Sequence, residues 1–266
     1  MLKKLFIYEW KETWKLVALL NLIVIGVTAI GVFLLSMDGW QNMDDRYAAV
    51  LGTIYGIVYI IAIFALSIAV GVYFYIRFFK NFYSDEGYLM HTLPVTKHDL
   101  ILSKAFVASI WSLISSVVIA VSVALIINAL AMMDGQNIWA EISKEIAKAG
   151  VQKELTIIGI LVVISMIAGS FAGVMSGYVA VSIGQLFPKM KILASIGAFV
   201  LISFAIQVAG SVGNTQMMFL GAGYNAESGM GFAIASLIYT IVGAVVLAVA
   251  FYFATYYIMD NKLNLD

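Results

Sequence analysis

The chain has no cysteine, only two histidines, and charged side chains at 11% of its 266 residues. Without cysteine there is no disulfide framework, no thiolate metal site and no thiol nucleophile. The histidines, His91 and His98, cannot alone build a histidine-rich metal site. Even with Asp85, Glu86 and Asp99 nearby, their spacing matches no standard ligand set, and solvated loop residues account for them better. Both lie outside the long apolar runs, where an intramembrane Ser-His pair would have to sit, which counts against an intramembrane protease. No Gly-x-x-x-x-Gly-Lys-Ser/Thr string occurs, so the chain carries no phosphate-cradling loop of its own. It is read as no enzyme by itself, with no catalytic residue, metal or cofactor. Lys and Arg number 15 against 15 Asp and Glu, so no net charge attracts nucleic acid. Acidic residues are absent from the middles of the apolar runs, which disfavours a proton relay or an intramembrane ion site.

What the chain has in excess is apolar surface: 63% of residues are hydrophobic and the mean hydropathy is +1.00. A hydrocarbon core about 30 Å thick takes roughly 20 apolar residues per helix. Six runs qualify, at about 16–35, 48–79, 101–133, 155–187, 192–212 and 230–258. Lipid leaves backbone groups no outside partner, so each run should be a helix. The expected fold is an all-α membrane protein in which residues 1–266 form a single transmembrane domain.

With six spans both termini share a side. That side gathers Lys3, Lys4, Lys11, Lys15, Arg77, Lys80, Lys97, Lys104, Lys189, Lys191 and Lys262, and leaves only Arg46, Lys144, Lys148 and Lys153 opposite. The positive-inside rule makes the richer side, and with it both termini, cytoplasmic. Residues 1–15 do not read as a cleaved leader, because Glu9, Glu12, Trp10 and Trp14 interrupt the basic residues and a run of spanning length follows. Leu2, Phe6, Trp10 and Trp14 recur at every fourth position, the pattern of an amphipathic elbow helix in the inner interface, with a plain basic flank as the alternative. On the outer side, Ile138, Ile142 and Ile146 with Trp139 mark a short amphipathic helix, while 214–229 is Gly-rich and irregular. Either outer segment could serve as a lid or merely connect.

Within the spans stand the polar residues Asn21, Asn128, Gln185 and Gln207, and a small-residue ladder, Ser165, Gly169, Gly173 and Gly177. Such a ladder allows close helix packing, within the subunit or across a two-fold axis. Tyr55, Tyr59, Phe64, Phe199 and Phe204 could line a path for an apolar or amphipathic passenger, although aromatics equally serve ordinary packing.

Between the second and third runs lies a polar island, 81–96. Ser84 can cap a short helix, Asp85 and Glu86 would complement its dipole, and Pro94 would end it. Thr96 with Asp99 resembles a cap that starts the next helix. Tyr88, Leu89 and Met90 give the island an apolar edge that favours a protein partner.

The string Phe-Tyr-Ser-Asp-Glu-Gly-Tyr-Leu-Met-His-Thr-Leu-Pro-Val-Thr from Phe82 to Thr96, the Leu-Ile-Leu-Ser-Lys that follows, and the tail Lys262-Leu263-Asn264-Leu265 resemble the membrane subunits of type 2 ABC exporters of Gram-positive bacteria. The six-span layout extends the resemblance over essentially the whole chain. It implies an elbow helix at 1–15 and a coupling helix at Ser84, Asp85, Glu86, Gly87, Tyr88, Leu89, Met90 and His91. The coupling helix would dock on a separate ABC ATPase subunit, which holds ATP and Mg. The resemblance also implies a second permease copy or sister permease, a place in the bacterial plasma membrane among its lipids, and export of a hydrophobic or amphipathic substrate, with peptide as the leading expectation. The alternative is a sensor or self-protection protein that binds an antimicrobial peptide or lipid without exporting it.

Overall fold

A computed structural model describes residues 2–37, 44–84, 95–133, 137–221 and 228–261. Among them are seven α-helices: α1 (Leu2–Leu35), α2 (Asp45–Tyr83), α3 (Lys97–Met133), α4 (Ile138–Ala149), α5 (Gln152–Gly184), α6 (Lys191–Gly221) and α7 (Ser228–Asn261). All but α4 are long and apolar enough to cross a membrane, and each contains one of the six expected runs nearly whole. The protein is therefore an all-helical, multi-pass membrane protein.

The elbow expected at residues 1–15 is not a separate element, because α1 runs unbroken from Leu2 to Leu35. No Gly or Pro stands between Leu2 and Ile25 to turn the chain. The jump in hydropathy at Leu16 is a change along one helix.

The residues of the expected interfacial face, Leu2, Phe6, Trp10 and Trp14, do not belong to the buried stripe of α1. Phe6 and Trp10 stack at 6.1 Å but are only half-buried, and Trp14 is exposed. The buried stripe is Glu9, Thr13, Val17, Asn21, Val24 and Thr28. In lipid the apolar side chains can face outward without cost, and it is the polar ones that need partners inside.

Packing divides the chain into two compact units. One comprises Lys11–Val72 and Trp111–Gln152. Here polar side chains join the helices: the Asn21 amide donates to the Val17 carbonyl at 2.8 Å and to Ser115 Oγ of α3 at 3.0 Å. Tyr59 of α2 meets Ser122 of α3 at 2.7 Å, and the Tyr55 hydroxyl donates to the Val27 carbonyl of α1 at 3.2 Å. The unit ends with α4, capped at its start by Asn137, whose side chain accepts from the Ala140 amide at 3.2 Å. Gly150, with φ of 67°, closes α4 in the left-handed conformation that glycine adopts without strain.

The other unit comprises Met1–Trp10, Tyr73–Ile110 and Lys153–Asp266. In it α2 lies against α5, with Phe78 stacked on Tyr178 at 3.9 Å, Tyr83 bonded to Ser182 at 2.7 Å, and the Tyr75 hydroxyl donating to the Gly173 carbonyl at 3.2 Å. Phe106 of α3 meets Phe171 of α5 at 5.5 Å. α6 and α7 pack side by side, with the Tyr239 ring of α7 set against Gly213 of α6.

Candidate functional site

Of the expected coupling residues only Ser84 is described, at the end of α2, where its hydroxyl donates to the Lys80 carbonyl one turn back. Asp85, Glu86, Gly87, Tyr88, Leu89, Met90 and His91 lie outside the described residues. The far side of the island is clear: the Asp99 amide donates to Thr96 Oγ1 at 3.2 Å, which is the expected cap, and α3 begins at Lys97.

The ends of α2 and α3 that flank this segment meet the amino-terminal turns of α1 in a buried cluster of charge. Glu9 of α1, 5% exposed at its side chain, accepts from Arg77 of α2 through both Nε and a terminal nitrogen at 2.9 Å. Its other oxygen pairs with Lys104 of α3, whose side chain is 3% exposed. The Lys104 ammonium also sits 5.6 Å from the Phe82 ring centroid. Phe78 and Phe82 of α2 and Tyr178 of α5 are almost wholly buried in the same unit, and the Phe78 and Phe82 rings lie 4.9 Å apart.

Each member of the cluster stands about two helical turns, roughly 10 Å, from its own helix end. The carboxylate thus ties three helix ends together and compensates charge that both cations carry out of water. At the same end of α3, Lys97 pairs with Asp260 of α7 at 2.7 Å, and the His98 ring stacks on Tyr256 at 4.1 Å while bonding the Tyr252 hydroxyl.

Hydropathy alone does not reveal the cluster, because it groups Glu9 with the interfacial elbow and Arg77 and Lys104 with the basic flanks. A signal is present all the same: Glu9 falls in register with Thr13, Val17 and Asn21 at spacing four, the one stripe of α1 that carries polar side chains into the span.

The five aromatics considered for a passenger path divide between the two units. In one, Tyr55 and Tyr59 stack at 6.0 Å with their hydroxyls spent on helix contacts, and Phe64 is exposed. In the other, Phe199 rests 5.5 Å from Tyr75, and Phe204 is exposed.

An apolar groove of about 680 Å³ lies between α1 and α3, lined by Ile25, Ala29, Phe33, Val117, Val121 and Leu125 among others. The hydroxyls on its wall, Thr28, Ser36 and Ser122, each donate to a carbonyl three or four residues back in the chain.

Comparison with protein-family models, with curated proteins and with solved structures found no match to this chain.

Proposed function

We propose that this chain is the permease subunit of an exporter, driven by a separate ATP-hydrolysing subunit of the ABC type and moving a hydrophobic or amphipathic substrate, in the first instance a peptide. The observation that carries the reading is the segment from Phe82 to Thr96, which resembles the coupling region of type 2 ABC exporters and joins the ends of α2 and α3. The geometry around it supports the assignment. Both flanking helices are tied to α1 through Glu9, so a push on the segment would reach three helices together. The six apolar helices supply the spanning bundle and the chain brings no nucleotide-binding loop, so ATP and Mg belong to the partner.

In this reading the protein sits in a bacterial plasma membrane with both termini cytoplasmic, as the distribution of Lys and Arg favours. ATP binding draws the partner subunits together, and the motion passes through 84–91 to α2 and α3. The permease contributes differences in affinity for cargo between two conformations.

Replacing Glu86 and Tyr88 together by Ala tests this in sealed vesicles bearing the permease and its ATPase. ATP-dependent accumulation of labelled peptide should fall at least about tenfold, a loss of about 1.4 kcal/mol of coupling, while the variant still assembles in the membrane. Undiminished accumulation would remove the coupling role. Peptide binding without accumulation by the unaltered protein would favour a sensor.

A further inference from the structure

Of the described helices only α4 is too short to cross a membrane. Its 12 residues make a rod about 18 Å long. At 3.6 residues per turn Ile138, Trp139, Ile142 and Ile146 fall within an arc of about 100°, and Glu141, Lys144, Glu145 and Lys148 all fall off it. The rest of the chain covers little of the apolar arc. Trp139 is 56% and Ile142 45% exposed, with Ile138 and Ile146 half-buried. Among the described residues the polar side chains of α4 bond only inside the helix and its cap. Lys148 donates to Glu145 at 2.6 Å, Ser143 donates to the Ala140 carbonyl at 2.9 Å, and Asn137 accepts from the Ala140 amide.

What covers the arc follows from where the helix is tied. The spanning helix α3 stays apolar to its last residue, Met133, and Leu130 and Met132 are exposed there. The spanning helix α5 turns apolar from Leu155, and Ile157 is exposed. Only Gly150 and Val151 separate α4 from α5, and the left-handed Gly150 ends α4 so that it does not prolong α5 into water. A short amphipathic helix held at both ends where apolar spans leave the bilayer has hydrocarbon on one side and water on the other.

We infer that α4 lies in the lipid surface, with the arc of Ile138, Trp139, Ile142 and Ile146 sunk into the boundary between headgroups and acyl chains. Its partner is zwitterionic lipid, engaged by apolar contact. With two Glu and two Lys, α4 has no net charge to draw it to an acidic headgroup or a charged protein surface. Trp139 sits where an indole is favoured, its ring in the apolar boundary and its N–H toward water. The inference stands apart from the exporter reading, since it needs neither ATPase nor cargo and holds for either orientation of the chain.

The absence of cysteine lets single cysteines report depth. The full chain is placed in phosphatidylcholine nanodiscs, which leave both membrane faces open to water, and a small fluorophore is attached to Trp139→Cys, Ile142→Cys, Lys144→Cys or Lys148→Cys. Acyl chains brominated near the headgroup should quench positions 139 and 142 several-fold more than 144 and 148, and aqueous iodide should give the reverse order. Replacing part of the phosphatidylcholine by phosphatidylglycerol should leave the pattern unchanged. Two reporters on each side keep the reading independent of any one substitution.

Iodide quenching as strong at 139 and 142 as at 144 and 148 would overturn the inference, because α4 would then stand in water as a plain connector. Protection of 139 and 142 from both quenchers would overturn it as well, since protein, from a second copy or another segment of the chain, would then cover the arc. A pattern that appears only with phosphatidylglycerol would remove the zwitterionic partner. None of these readings involves nucleotide or transport, so the exporter reading is judged separately by the vesicle assay.

Discussion

Glu9 stands between two cations with its side chain only 5% exposed, and its removal should be among the most damaging single changes in the chain. Taking one partner from a buried ionic group leaves charge without compensation, at about 3–5 kcal/mol. Glu9→Gln should therefore lower the thermal midpoint of the purified protein markedly. A more searching test exchanges the charges. Glu9→Lys and Lys104→Glu should each fail alone, whereas the double variant again places one carboxylate among two cations and should recover much of the lost midpoint. Failure of the exchange to recover would mean that Glu9 acts through something other than its charge.

At this scale much is readable in the sequence, but the pairing is not. The spacing of Glu9 with Thr13 and Asn21 marks an inward stripe, yet nothing in a linear string says that Arg77 and Lys104 converge on it. Gln207 shows the reverse case. Its residue type is conspicuous, and only its surroundings reveal that no described side chain or carbonyl answers it.

Among the elements, glycine and tyrosine set how closely helices approach. A Cβ placed on Gly177 of α5 would run into the ring of Tyr75 on α2, one on Gly31 of α1 would meet the Tyr55 hydroxyl of α2, and one on Gly213 of α6 would meet that of Tyr239 on α7. Of the three glycines in the ladder legible in α5, only Gly177 lacks room for a side chain: a Cβ there would press on the Tyr75 ring, while one on Gly169 or Gly173 would meet nothing within 4 Å.

Gly177→Ala should accordingly destabilise by about 1–3 kcal/mol, the cost of overpacking. Gly169→Ala should be neutral or slightly stabilising, since alanine favours the helix. Adding Tyr75→Leu to Gly177→Ala should relieve part of the loss, and thermal denaturation in detergent reads all three. Helix existence follows from run length and hydropathy, but the beginning of α1 does not, because a change of solvent along a helix leaves no mark on its backbone. The outward direction of the apolar faces follows once lipid is taken as the solvent.

For the whole molecule, six crossings, if all six candidate helices span, would put both ends of the chain on one side, and the basic residues favour which side that is. Eleven of them fall with the termini and four opposite, from the positions of Lys and Arg in the chain. If the richer side is cytoplasmic, a fluorescent protein that matures only in the cytoplasm and is fused after Asp266 should glow. The cysteine-free background allows a second, independent reading. A cysteine replacing Lys144 on the exposed face of α4 should react with an impermeant maleimide in intact cells, and one replacing Lys97, at the start of α3, only after the membrane is opened. The inverse labelling pattern would turn the segment between α2 and α3 outward, where no ATP-hydrolysing partner could meet it, and the exporter reading would fall even with every helix in place. The topology experiment is therefore stricter than any single substitution, because the proposed flow of energy requires 84–91 and the nucleotide to lie on the same side of the bilayer.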